Sequence, residues 1–196
     1  MLIKILIAVA VIAVALVIFI ATRPGELRVA RSATIFAPVA EVFAQVNDFH
    51  RWEAWSPYEK LDPAMKRTFA GEAAGRGAIY SWNGNNQVGE GTSTIVESRA
   101  NELIRINLQF VRPFACNNMA EFSFEPQGEG TTVTWTLHGR NSFMGKAVGL
   151  VMNMDKMVGG QFEQGLAQLK TVAEAESLAR APAAVQSSAM PVSAAH

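Results

Sequence analysis

The side chains able to do chemistry are few and scattered. The single cysteine, Cys116, and the three histidines, His50, His138 and His196, share no metal-ligand spacing. A zinc site and a disulfide framework are therefore excluded, and no metal or cofactor is expected. Cys116 has no evident histidine partner and reads as a core thiol rather than a nucleophile. Ser56 lies in Trp-Ser-Pro without the strand–turn–helix elbow of a serine hydrolase. The glycine pairs Gly75-x-Gly77 and Gly89-x-Gly91 lead into strands, so turns and bulges explain them better than a phosphate cradle. The polar groups that could orient a ligand or move a proton are Glu97, Arg105, Asn118, Glu121 and His138. Of these, Glu97, Glu121 and His138 fall on the wet sides of alternating strands. General acid–base work needs a group whose pKa is displaced by burial or a neighbour. No residue meets that condition from the sequence alone, and no catalytic residue is assigned.

What the chain has in quantity is aromatic surface. Trp52, Trp55, Tyr80, Trp82, Phe110, Phe122, Phe124 and Trp135 could line a pocket for an apolar ligand, with Asn118 as a polar group on the same strand face as Phe122 and Phe124. Met154 would supply an adaptable thioether from the far wall. Each aromatic taken singly also suits an ordinary core. As a group they favour a cavity, with Trp52 and Trp55 near its mouth, because each buried indole N–H needs an acceptor.

Strands and helices must position these groups, and the periodicities place them in a definite order. Alternation over Arg28–Ile35 predicts a strand. Pro38 then opens a helix in which Val39, Val42, Phe43 and Val46 share one face up to Asn47. A looped stretch, Asp48–Pro63, read as loop or short helices, carries Phe49, Trp52, Trp55 and Tyr58. Strands follow at Lys66–Ala70, Ala78–Trp82 (closed by the Asn83-Gly84 turn pair), Gly89–Ser98, Glu102–Phe110, Cys116–Glu125 and Thr131–Gly139. In the fourth, Ile104, Ile106, Leu108 and Phe110 oppose Leu103, Arg105, Asn107 and Gln109, as in an antiparallel sheet with one buried face. A long helix, about Gly145–Leu178, places Val151, Met154, Val158, Phe162, Leu166 and Leu169 on one stripe. Its Gly159-Gly160 pair implies a kink or a close approach of the sheet. The class is α+β: six or seven antiparallel strands curved over one long C-terminal helix, its only available cover. A curved sheet wrapped on a single helix leaves room for a cavity beside it.

The ends differ in kind. Ile5–Ala21 contains no charged or strongly polar side chain, and with Lys4 snorkelling the apolar run extends over Leu2–Thr22. That helix is about 31 Å long, matching the hydrocarbon thickness of a bilayer. A signal peptide is the competing reading, but Phe19 is too large for the −3 position before Ala21. Residues 1–22 are read as a single-pass membrane anchor, 23–179 as the folded domain, and 180–196 as an Ala/Pro/Ser-rich disordered tail. Arg23, Arg28 and Arg31 beyond the anchor, against Lys4 and the amino terminus before it, place the domain on the cytoplasmic side. The chain has 17 basic and 17 acidic residues, so a dedicated nucleic-acid interface is not expected.

The segments FAQVNDFHRWEAWSP (Phe43–Pro57), GRGAIYSWNGN (Gly75–Asn85) and VGEGTSTIVES (Val88–Ser98) resemble the START-like helix-grip superfamily (SRPBCC), in its polyketide cyclase/dehydrase and lipid-transport branch. GTTVTWTLHG (Gly130–Gly139) and MDKMVGGQFEQGLAQLK (Met154–Lys170) are similar to that family's last strand and closing helix. The resemblance implies a helix-grip fold with a hydrophobic-ligand cavity between sheet and helix, and no universal catalytic set. The expected function is a membrane-tethered module that binds or carries a small lipid-like molecule. The alternatives are a cyclase/dehydrase-like enzyme, or a regulatory scaffold whose groove binds a protein.

Overall fold

The computed structural model describes residues 1–23, 25–140, 145–146, 149–150 and 153–187, without the side chains of 154 and 181–187. The first element is helix α1 (Leu2–Ala21), of which only Ile20 is buried. Apart from Lys4 the helix is apolar on every side, and by length and composition it could cross a membrane. After residues 22–25 comes β1 (Glu26–Ile35), then α2 (Val39–Asn47) with Pro38 at its N-cap.

The stretch expected as a loop or short helices is wound into short turns: a 3₁₀ turn at Phe49–Arg51, α3 (Trp52–Trp55) and α4 (Pro57–Leu61). Local capping explains this. The Asp48 side chain accepts from the His50 amide, and Pro57 opens α4 with its φ already set for a helix.

Six strands follow: β2 (Lys66–Gly71), β3 (Ala78–Asn83), β4 (Glu90–Arg99), β5 (Leu103–Arg112), β6 (Cys116–Gln127) and β7 (Gly130–Arg140). They join β1 in one antiparallel sheet of order β1-β7-β6-β5-β4-β3-β2. All seven strands match expected positions, each end within two residues. The Asn83-Gly84 pair does not make a two-residue hairpin. Asn83 stays in β3, and a longer loop closes with Gly84 N–H donating to Gly89 O at 2.9 Å. The Asn85 carboxamide organises that loop by accepting from the Gln87 amide, and Gly89 adopts φ +67°, a conformation that favours glycine.

The last element is helix α5 (Met154–Ser187). It starts later than Gly145, although Gly145, Lys146, Gly149 and Leu150 are themselves helical. Asn153 is the reason for the restart: its side-chain oxygen accepts the Lys156 amide at 3.0 Å, an N-cap bond. The helix runs past Arg180 to Ser187; 188–196 lie outside the described residues.

Helix α5 lies against β1 and β7. Phe162 stacks flat on Trp135 of β7, with ring centroids 3.9 Å apart and planes 9° from parallel. Opposite Gly159, Arg31 of β1 crosses the helix, donating to Glu163 (2.7 Å) and to Asp155 (3.0 Å). A Cβ at position 159 would stand 2.1 Å from the Arg31 guanidinium. Gly159 therefore serves close approach, by a charged side chain rather than by the sheet backbone, whereas a Cβ on Gly160 would meet open space.

Candidate functional site

The pairing register arranges the concave face as rows running across the sheet, and burial changes from row to row. Nearest α1 is the row Trp82, Gly91, Phe110, Cys116. Behind it come Tyr80, Ser93, Leu108, Asn118, Gly139 and Leu27. In these two rows Trp82, Phe110, Leu108, Asn118 and Leu27 are only half-buried, while Tyr80 and Ser93 are enclosed. One row further, Ile95, Ile106, Ala120 and Val29 are almost wholly enclosed, and so are Ile104, Phe122 and Trp135 beyond them. The described part of the domain is thus filled at the end remote from α1 and half-open at the end next to it.

The enclosed core, which Tyr80 joins from the second row, accounts for most of the aromatic set. Trp52, Trp55, Tyr80, Phe122, Phe124 and Trp135 are all buried in one continuous core. Phe122 lies between its neighbours, edge-on to Trp55 at 6.1 Å and stacked on Trp135 at 4.8 Å. Such pairs contribute about 0.5–1.5 kcal/mol each beyond their buried area. Trp52 and Trp55 do not stand at a mouth. Their indole N–H groups donate to the carbonyls of Val46 (3.0 Å) and Gln45 (3.1 Å), which pins α3 to α2. The Trp135 indole nitrogen, by contrast, is buried with no hydrogen-bond partner among the described residues.

Of the ten residues expected at a ligand site, Trp82, Phe110 and Asn118 occupy the half-open end. Trp82 meets Phe110 edge-to-face at 5.5 Å, and its N–H is held by Val88 O at 3.0 Å. A Cβ on Gly91 would fall 2.6 Å from the Trp82 ring, so this glycine gives the indole its place. Asn118 lies against Gly139, where a Cβ would meet its side-chain oxygen at 2.3 Å. The side chain of Met154 lies outside the described residues. Leu108 belongs with this group and was legible only as part of a strand face. Cys116 is exposed rather than a core thiol, because it starts β6 at the outermost row.

Between the two ends lies an ionisable network that alternation alone could not reveal. Glu59 of α4 is a buried carboxylate; it accepts the Tyr80 hydroxyl at 2.5 Å. The Arg67 Nε is 3.2 Å from the other Glu59 oxygen, close but not aligned as a hydrogen bond. Arg67 also reaches Glu53 at 3.0 Å. Burial, reinforced by the Glu59 hydrogen bond, pushes the Tyr80 pKa far above the usual phenol range. Tyr80 is therefore a fixed donor at neutral pH, not a group poised to exchange a proton. The sequence signal, a carboxylate in a turn-rich aromatic stretch opposite an arginine on an edge strand, needs tertiary proximity to be read.

The other polar candidates lie on the convex face. Arg105 bridges Glu97 and Glu121 across three strands, at 2.8 Å to each. His138 is exposed on that face. Among the described residues, no group of three or more His, Cys, Asp or Glu side chains could hold a metal ion.

Surface depressions open at both ends of the domain. One of about 730 Å³ opens at the end remote from α1, between α5 and the α2–α3 turn, and is lined by residues including Gln45, Arg51, Glu176 and Arg180. None of the ten expected residues lines it. Another, about 520 Å³, opens beside Asn118 and includes Arg28, His138 and Arg140.

A seven-stranded antiparallel sheet curved over a long C-terminal helix, with an apolar concave face, defines a helix-grip protein. The chain belongs to the polyketide cyclase/dehydrase and lipid transport family, whose sequence pattern matches residues 26–174. Solved structures carry the same fold at low identity. A Chromobacterium violaceum protein is 15% identical, with a TM-score of 0.55 over 78% of this chain and 99% of its own. A Mycobacterium smegmatis protein is 17% identical, with a TM-score of 0.54 over 76% and 92%. A Thermobifida fusca protein is 24% identical, with a TM-score of 0.55 over 74% and 92%. No curated protein matches the chain significantly.

Proposed function

We propose that this protein is a membrane-tethered module that binds or carries a small, lipid-like molecule at the half-open end of its concave face. The observation that carries the reading is the gradient of burial: Trp82, Leu108 and Phe110 form an apolar surface left half-exposed, on the side next to α1. Apolar side chains on an inner face are normally enclosed, and a concave apolar surface with one or two polar groups suits a hydrophobic guest. Asn118 would orient that guest, with the buried Trp135 N–H as a second donor deeper in the fold. Family membership supports ligand binding in general. An N-terminal helix of membrane-spanning length and composition would keep the site where lipophilic molecules are concentrated.

The test is to purify the full chain in a mild detergent, analyse co-purified apolar molecules by mass spectrometry, and titrate a fluorescent fatty-acid analogue. The expected result is a co-purified amphiphile, displaced by the analogue, and loss of analogue uptake in Leu108→Glu. A chain that carries nothing and takes up no analogue would refute the reading.

A further inference from the structure

We propose that the tip of the β5–β6 hairpin, Val111–Phe114, is a second membrane contact that seats the half-open end of the domain on the leaflet from which α1 emerges. This rests on the reading of α1 as an anchor and adds a docking geometry to it. The topology gives the first argument. Strands β1 and β6 each pair antiparallel with β7, so both begin at the same end of the sheet. Residues 22–25 join α1 to β1, and residues 113–115 turn the β5–β6 hairpin, at that one end. Four linker residues span at most about 14 Å, so the hairpin tip is held close to the surface that α1 would leave.

The second argument is the chemistry of the tip. Val111 is 58% exposed and Phe114 is 64% exposed, on a turn whose strands otherwise present polar residues outward. Two large apolar side chains projecting from one hairpin gain by entering the boundary between headgroups and acyl chains, where aromatic rings are favoured. The third argument is charge. Arg112 lies between them, held by Glu90 at 2.9 Å and by Asn83 at 2.8 Å. Arg28 and Arg140 line the open depression at the same end. Lys146 donates to the carbonyl of Ala21 at the end of α1 at 3.1 Å, and Arg23 lies over the Phe19 ring at 4.4 Å. Glu26 and Glu90 are the acids among them, so cations prevail and suit an anionic leaflet.

The opposite end supplies the contrast. Phe36 is equally exposed, at 66%, yet it follows β1, about 33 Å away along ten strand residues. Lys170 covers its ring at 4.9 Å. Exposure alone therefore does not distinguish the two phenylalanines; their distance from α1 does.

The experiment uses the full chain in vesicles of phosphatidylcholine and phosphatidylglycerol. Cys116, the lone cysteine, is replaced by serine, and a polarity-sensitive nitrobenzoxadiazole label is attached after Phe114→Cys or, separately, Phe36→Cys. The expected result is a blue-shifted emission for the label at 114, quenched by doxyl-labelled lipid, while the label at 36 stays aqueous and unquenched. Adding Val111→Glu to the Phe114→Cys protein should return its emission towards the aqueous value. If the protein resists an alkaline carbonate wash but both labels remain aqueous, the hairpin contact is overturned and the anchor stands. If the protein washes off, the anchor reading itself is overturned.

Discussion

The two ends of the concave face use the same residue types to opposite effect. Remote from α1, Phe122, Trp135 and Phe162 form a stack with Ile104 and Ile106 behind it, all nearly inaccessible. Next to α1, Trp82, Phe110 and Leu108 belong to the same strand faces but are half-exposed. The difference lies in the cover. At the remote end α5 and the α2–α4 turns bring Phe162, Trp52 and Trp55 down onto the sheet. At the near end α4 reaches only as far as the β3–β4 loop, where Asn85 donates to Asp62 and to the carbonyl of Leu61, and Trp82, Leu108 and Phe110 stay half-exposed. Aromatic content therefore marks a core in one place and a candidate binding surface in the other, and only the placement of the helices separates them.

The largest effect expected is at the filled end. Phe162→Ala removes the ring stacked on Trp135 and leaves a cavity beneath α5, at a cost of about 3–5 kcal/mol. Chemical denaturation of the domain checks this. A loss under 1 kcal/mol would show that the region collapses easily and is not the rigid half of the comparison.

The buried network between the ends comes next. Tyr80→Phe keeps the ring but deprives the Glu59 carboxylate of its hydroxyl donor. A buried charged acceptor left without that bond costs roughly 1.5–3 kcal/mol. The double change Tyr80→Phe with Glu59→Leu should recover part of the loss, because it removes the unsatisfied charge as well. If the double variant were no more stable than the single one, the hydrogen bond would not be what matters at this site.

Much of this arrangement was readable from residue order. Alternation fixed the concave set, since Ile104, Ile106 and Leu108 can share a side only in a strand, and the stripe Phe162–Leu166–Leu169 indicated which side of α5 would be buried. What stayed hidden depended on contacts between distant segments. Asp48–Pro63 lacks a helical period because its turns are each a few residues long, the first capped by Asp48 and the last opened by Pro57. Arg31 alternates with Val29 and Ala33 on the inner face, yet its guanidinium is accommodated only because Gly159 leaves space for it. Tryptophan count overstated the pocket, because the N–H groups of Trp52 and Trp55 are satisfied by backbone carbonyls six and ten residues upstream.

Alkaline titration probes the packed end by a different route. Burial pushes the Tyr58 hydroxyl up to about 12. A phenol raised above its unfolded value, about 10, stabilises the fold fully below pH 10. As pH rises above that, the unfolded chain ionises first and stability falls, the loss being complete once pH passes the folded value. The contribution lost is roughly 3 kcal/mol. Thermal denaturation followed from pH 9 to pH 12 should therefore fall more steeply for the natural protein than for Tyr58→Phe. Parallel curves would mean that water reaches the hydroxyl, and that α4 does not seal this part of the core.

The smallest change in stability should accompany the largest change in binding. Phe110 is half-exposed and touches Trp82 through one edge, so Phe110→Ala forfeits only part of the burial of a core phenylalanine, about 1 kcal/mol. The same truncation removes a principal apolar wall of the half-open end and should weaken uptake of a lipophilic analogue several-fold. Phe162→Ala makes the complementary case: at a temperature where that variant remains folded, it should lose stability while leaving Trp82, Leu108 and Phe110 to bind. Stability and uptake measured on both variants thus separate the two ends. If Phe110→Ala lost stability as heavily as Phe162→Ala, with uptake unchanged, the end next to α1 would be ordinary core, and the contrast between the ends would disappear with it.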